Sequence, residues 1–144
     1  MDKNLNNIFV ISSPSGGGKS SLIEALLSDE RAEKIKLSVS FTTREIRSSE
    51  KNQKDYIFIK EDEFMKKIDD GDFIEYAKVF GNFYGTDKLL TEKILKSKDI
   101  LLELDWQGAF SIKKTFKNVV SVFLIPPSYN CLLYTSPSPR DAES

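Results

Sequence analysis

Short, continuous apolar runs alternate along the chain with stretches of helical periodicity. The first run, 8–11, reads Ile-Phe-Val-Ile between polar flanks. Without polar alternation it predicts a strand buried on both faces, as in a parallel sheet. A Gly-rich turn at 13–18 follows, and then Leu22, Ile23, Leu26 and Leu27 recur on one side of a helix. The stretch 36–43 predicts one extended segment, 48–54 a polar loop and 56–59 a short strand. Phe64 and Ile68, four residues apart, predict an amphipathic helix over 61–70, with Gly71 as its stop. The runs 73–80 and 83–84, joined by Gly81-Asn82, predict a β-hairpin. A helix is expected over 87–96 and a buried strand over 100–105 that ends in acids. A further helix over 107–116 carries Ala109, Ile112 and Phe116 on one face. Another buried strand over 119–125 is halted by Pro126-Pro127.

Buried strands alternating with helices predict an α/β fold, a parallel sheet with helices on both faces. The middle of the chain is richer in hairpin and aromatic signals. It predicts a small β-rich lobe at 37–86, inserted into a core made of 1–36 and 87–128. The stretch 129–144 breaks the pattern. From Cys131 onward it reads CLLYTSPSPRDA, Pro/Ser-rich and without periodicity, and resembles translated sequencing-adapter DNA. It is expected to be a non-native, disordered tail and is left out of the fold.

Composition narrows the chemistry. The 144 residues carry 21 basic and 22 acidic side chains, a net charge of −1. Such a balance offers no electrostatic footprint for nucleic acid or an anionic membrane. No apolar run approaches the roughly 20 residues of a membrane span, so cytoplasm is the default compartment. Cys131 is the only cysteine and histidine is absent. A disulfide within the chain, a histidine general base and most zinc sites are thereby excluded. What remains is chemistry done with phosphate clamps, carboxylates, lysine, arginine and hydroxyls.

The turn after the first strand is Ser13-Pro14-Ser15-Gly16-Gly17-Gly18-Lys19-Ser20, followed by Ser21. It fits the nucleotide-binding pattern G-x-x-x-x-G-K-[ST] between a strand and a helix, except that Ser13 replaces the first glycine. Successive glycines let backbone N–H groups curl around phosphate oxygens, and the following helix points its positive end at the anion. Lys19 supplies charge to the β- and γ-phosphates, and Ser20 can ligate Mg²⁺. The loop predicts ATP binding by residues 13–21 but not the reaction.

Outside the tail there are three arginines, Arg31, Arg44 and Arg47, against seventeen lysines. Two lie in Ser38-Val39-Ser40-Phe41-Thr42-Thr43-Arg44-Glu45-Ile46-Arg47. Arginine's planar fork can contact phosphate or carboxylate through two parallel hydrogen bonds, a geometry that lysine's point charge lacks. This run resembles the GMP-phosphate segment of guanylate kinases. Asp55-Tyr56-Ile57-Phe58 is similar to that family's D-Y-x-F, and Phe73-Ile74-Glu75-Tyr76-Ala77 to its F-[IL]-E-[WY]-A. Gly81 to Thr86 is similar to G-x-x-Y-G-[ST], and Leu102 to Ala109 to L-[DE]-[IV]-D-x-Q-G-[AV]. The resemblance spans about residues 5–128. It departs between Arg47 and Asp55, where Ser49 and Gln53 replace the family's usual glycines while Glu50 fits.

The resemblance implies phosphoryl transfer from ATP to GMP, giving ADP and GDP, with dGMP an open second acceptor and oligomeric state undefined. Arg44, Arg47, Tyr56 and Tyr84 would hold the GMP phosphate. Glu75 would accept from guanine N1–H and the 2-amino group, Ser40 and Thr86 would donate to O6, and Asp105 would also contact GMP. Lys19, Arg44 and Arg47 are the implied catalytic residues. Ser20 and Asp105 are the implied Mg²⁺ ligands, partly through water. Family members continue past the Pro-Pro-Ser segment into an arginine-bearing lid and a last strand, so this 144-residue chain is expected to be of low activity on its own. A non-catalytic guanylate-kinase-like module that binds protein partners is the alternative; the intact Gly18-Lys19-Ser20 argues against it.

Overall fold

The structure is a computed structural model and describes residues 6–12 and 19–125. It contains two four-stranded sheets. The core sheet has the order β2–β7–β1–β8, from β1 (Ile8–Ser12), β2 (Ile35–Leu37), β7 (Asp99–Glu103) and β8 (Val119–Phe123), and each neighbouring pair is parallel. The second sheet has the order β4–β3–β6–β5, from β3 (Phe41–Thr42), β4 (Ile57–Phe58), β5 (Phe73–Val79) and β6 (Asn82–Asp87). There β3 runs parallel to β4, and β6 is antiparallel to both β3 and β5.

Alternation along β1 and β7 sorts their side chains between the faces of the core sheet. Ile8, Val10, Ile100 and Leu102 point to one face, where they bury Leu95 of α3 (Lys88–Leu95) and Ala109 and Ile112 of α4 (Trp106–Thr115). Ile11 and Leu101 point to the other, against Ile23 and Leu26 of α1 (Lys19–Leu27). Helices therefore cover both faces, as uninterrupted apolar strands require. The apolar stripe of α1 is narrower than the four leucine and isoleucine positions suggest. At 100° per residue Ile23 and Leu26 face the sheet, whereas Leu22 and Leu27 fall on opposite flanks and are exposed.

In three places the structure differs from the pattern. The single segment expected over 36–43 is two strands in different sheets. β2 ends at Leu37, the Ser38 N–H still bonds Leu101 O at 2.9 Å, and the chain then leaves the core sheet and re-pairs as β3. The hairpin turn lies one residue earlier than Gly81-Asn82: Val79 pairs with Asn82, and Phe80 and Gly81 form the loop at φ +50° and +85°. Two positive φ values match the twist of a two-residue hairpin, which outweighs the Gly-Asn cue. The run 119–125, expected to be buried, forms the edge strand β8, most of whose residues are exposed.

The lobe is held by aromatic packing. The ring of Phe64, on α2 (Glu61–Asp69), is fully buried between Phe73 and Phe83, with centroids 4.5 and 5.2 Å away. Gly71, at φ +73°, ends this helix as the sequence predicts.

Candidate functional site

The carboxyl ends of β1 and β7 lie side by side, with Ile11 paired to Glu103 and the Leu104 N–H bonded to Ile11 O at 3.2 Å. In open α/β sheets this is the end where ligands bind. β1 leads into the phosphate-loop sequence and β7 into Asp105. Ser13 to Gly18 lie outside the described residues, as do the side chains of Lys19 and Ser20. The backbone of Lys19 opens α1, which places the loop sequence between a strand end and a helix start.

Asp105 is the N-cap of α4. Its Oδ1 accepts from the Gly108 N–H at 2.7 Å, and the residue is otherwise exposed. Among the described residues, no three His, Cys, Asp or Glu side chains cluster as a metal cage. A Mg²⁺ carried by nucleotide phosphates needs only one or two protein carboxylates and keeps several waters. An exposed carboxylate with one oxygen uncommitted by capping fits that role.

The inserted lobe brings most of the expected acceptor ligands to the same end. The Thr-Thr pair before Arg44 fixes the chain against β6. Thr42 Oγ1 donates to Phe83 O at 2.9 Å and accepts from the Arg44 N–H at 3.2 Å, while Thr43 Oγ1 accepts from the Phe83 N–H at 2.9 Å. Arg44 thereby departs from a pinned backbone. Its guanidinium lies 5.2 Å from the Tyr56 ring centroid and 5.8 Å from that of Phe58, and the nearby Tyr84 phenol adds to the stabilisation of its charge. The Tyr56 and Tyr84 rings meet edge to face at 5.8 Å. Arg44, Tyr56 and Tyr84 thus form one cluster. Arg47, by contrast, is exposed.

Glu50 is the residue that sequence reasoning undervalued. Its carboxylate takes both terminal nitrogens of Arg44, at 2.9 and 2.7 Å, and Oε1 also accepts from the Arg47 N–H at 2.9 Å. The two side chains are only 9% and 15% exposed. The paired fork that was expected to face phosphate is therefore engaged with Glu50, and Arg44 Nε is buried without a hydrogen-bond partner. The hydrogen bond from Arg44 holds the Glu50 carboxyl below its ordinary value, and Glu50 in turn raises the Arg44 guanidinium above its own. The spacing R-x-x-R-x-x-E was the available signal: the acid sits three residues after Arg47 and closes a tight turn, its N–H bonded to Arg47 O at 2.9 Å.

Glu75 is 7% exposed on β5, so it is not a solvated strand acid. Its Oε2 accepts from Thr86 Oγ1 at 2.7 Å. The single hydroxyl proton of Thr86 thus goes to Glu75 here, not to the open site as an O6 donor would require. The strand carrying Glu75 packs against the first turn of α4, joining lobe to core. Ser40 and Tyr56, from the lobe, line a cleft of about 90 Å³ together with Leu102, Glu103 and Leu104 from the end of β7. What the arrangement offers is an arginine–tyrosine cluster suited to an anion, a buried carboxylate suited to paired N–H donors, and a strand-end acid, all on the edge where β1 enters the phosphate-loop sequence.

Comparison with known proteins gives a single answer. The family model described as guanylate kinase matches residues 5–138. That match runs into the stretch expected to be a foreign tail, which lies outside the described residues. The guanylate kinase of Cupriavidus metallidurans is 46% identical over 127 residues, covering 88% of this chain and 58% of that protein. The guanylate kinase of Paraburkholderia xenovorans is 48% identical over 127 residues, covering 88% and 56% respectively. The crystal structure of guanylate kinase from Anaplasma phagocytophilum superposes with a TM-score of 0.73 at 41% identity, covering 91% of this chain and 65% of that one. The chain therefore spans less than two thirds of the length of these relatives.

Proposed function

The chain belongs to the guanylate kinase family, and from that premise we propose that it binds ATP and GMP and transfers the γ-phosphoryl group to the GMP phosphate. The observation that carries this is the buried Glu75 on a lobe that also presents Arg44, Tyr56 and Tyr84. Guanine presents N1–H and a 2-amino group as adjacent donors, and one carboxylate can accept both. Adenine has an acceptor at N1 and no 2-amino group, so it would leave a buried carboxylate unpaired.

The acceptor phosphate would be held by Arg44, Arg47, Tyr56 and Tyr84, and the donor phosphates by residues 13–21 with Lys19. Ser40 and Asp105 would contact GMP, and Thr86 would act by orienting Glu75. Mg²⁺, when bound between the nucleotide phosphates, Ser20 and Asp105, would neutralise charge that develops during transfer. The acceptor phosphate is ionised at neutral pH, so transfer needs no general base, and a chain without histidine lacks nothing for it. Alignment and charge stabilisation are what the residues contribute. The site needs no nucleic acid or lipid, and no helix among the described residues is long and apolar enough to cross a membrane. Action in the cytoplasm follows from nucleotide supply there.

The test is product analysis with the chain in stoichiometric excess over ATP and GMP. Formation of GDP that disappears in Lys19→Ala is expected. ATP consumed without GDP, or no GDP above the uncatalysed background, would overturn the catalytic reading of this chain.

A further inference from the structure

We propose that Gly108 is a specificity-determining residue that acts by making room for the Glu75 carboxylate; this rests on the acceptor-site reading above. Gly108 is buried in the first turn of α4, with its backbone in ordinary helical conformation. Backbone geometry therefore does not demand glycine. By helix propensity alone an alanine there would be favoured by about 1 kcal/mol.

What the position demands is space. A Cβ on Gly108 would sit 3.1 Å from Glu75 Oε1, 3.1 Å from Leu104 Cβ and 3.3 Å from Asp105 Oδ1. Leu104 is buried at the end of the central strand pair and cannot give way. Asp105 Oδ1 is tied to the Gly108 N–H. The Glu75 carboxylate is the neighbour able to move, and moving it disturbs the 2.7 Å bond that Thr86 makes to its other oxygen. The missing side chain is thus the slot in which one carboxylate oxygen lies against the first turn of α4. Only a correctly turned carboxylate presents both oxygens to two adjacent N–H donors at once.

The experiment is calorimetric titration of the 144-residue chain with GMP and with IMP, which keeps N1–H but lacks the 2-amino group. Wild type, Gly108→Ala, Glu75→Gln and the double variant are compared, with melting temperatures alongside. Gly108→Ala is expected to weaken GMP ten- to a hundredfold, the range of a lost hydrogen bond to a charged group. IMP should weaken less, and the melting temperature should hold or rise. Because Gly108 acts through Glu75, the double variant should bind GMP no more weakly than Glu75→Gln alone. An unchanged GMP/IMP ratio in Gly108→Ala, or fully additive losses, would overturn the proposal. If Gly108→Ala lowers the melting temperature, adding Glu75→Asp, one methylene shorter, should restore it. Failure to do so would place the clash at Leu104 and equally refute the slot. Wild-type chain that does not distinguish GMP from IMP would instead sink the acceptor reading and leave the packing around Gly108 as described.

Discussion

Arg44 and Glu50 form the ion pair on which the acceptor cluster rests, and removing one partner strands a buried charge. Glu50→Gln is expected to lose about 3 kcal/mol of stability at neutral pH, measured by urea unfolding. The pH dependence follows from the direction of the shift. Glu50 titrates lower in the folded chain than its ordinary 4.5. Its stabilisation is therefore complete above that value and fades as pH falls through the lower folded value. Wild type should lose stability in that acidic window, and Glu50→Gln should show a flatter profile there. Arg44 stays charged throughout. The identity of the arginines was legible because they are scarce; their pairing was not, because a carboxylate six residues away reads equally well as a solvated loop acid. The partner of Thr86 was not legible for a similar reason. A hydroxyl's donor can go either way, and only the fold shows that it goes to Glu75.

At the scale of elements, turns and caps set where side chains emerge. Gln53 occupies a position at which the family pattern has glycine, and its φ is +69°. The loop has kept the left-handed conformation without the residue that adopts it freely, at a strain of about 1 kcal/mol. Gln53→Gly is expected to raise the melting temperature slightly, part of the gain being offset by entropy of the unfolded chain. A fall would mean that the Gln53 side chain supports the Glu50 loop. Asp105 both caps α4 and is proposed to meet ligand, and two substitutions separate these roles. Asp105→Ala should cost about 1 kcal/mol, whereas Asp105→Asn keeps most of the cap. If the carboxylate matters to the site, Asp105→Asn will retain stability and still weaken Mg²⁺-dependent nucleotide binding. Strand and helix identities were readable from the apolar runs. The split of 36–43 into β2 and β3 was not, because a strand that changes sheets keeps one uninterrupted extended pattern.

For the molecule as a whole, two sheets meet at the carboxyl edge of β1 and β7, and Glu75 sits at the seam. The opposite consequence of the layout is an apolar face along α4 and β8, where Trp106, Phe110, Val122 and Phe123 are exposed. An edge strand beside exposed aromatics invites association. The chain is expected to bind a hydrophobic dye and to self-associate with rising concentration, as sedimentation would show; a dye-silent monomer would mean that the face is covered. None of this was visible in the apolar run 119–125, since periodicity cannot distinguish a central strand from an edge. The arginine cluster and the carboxylate acquire their proposed meaning from one ligand that spans both, and competitive titration with GMP and AMP measures that directly. Tight GMP binding, AMP weaker by about 10⁴ or more, and loss of the difference in Glu75→Gln are the expected results; equal binding of the two nucleotides to the unaltered chain would contradict the account.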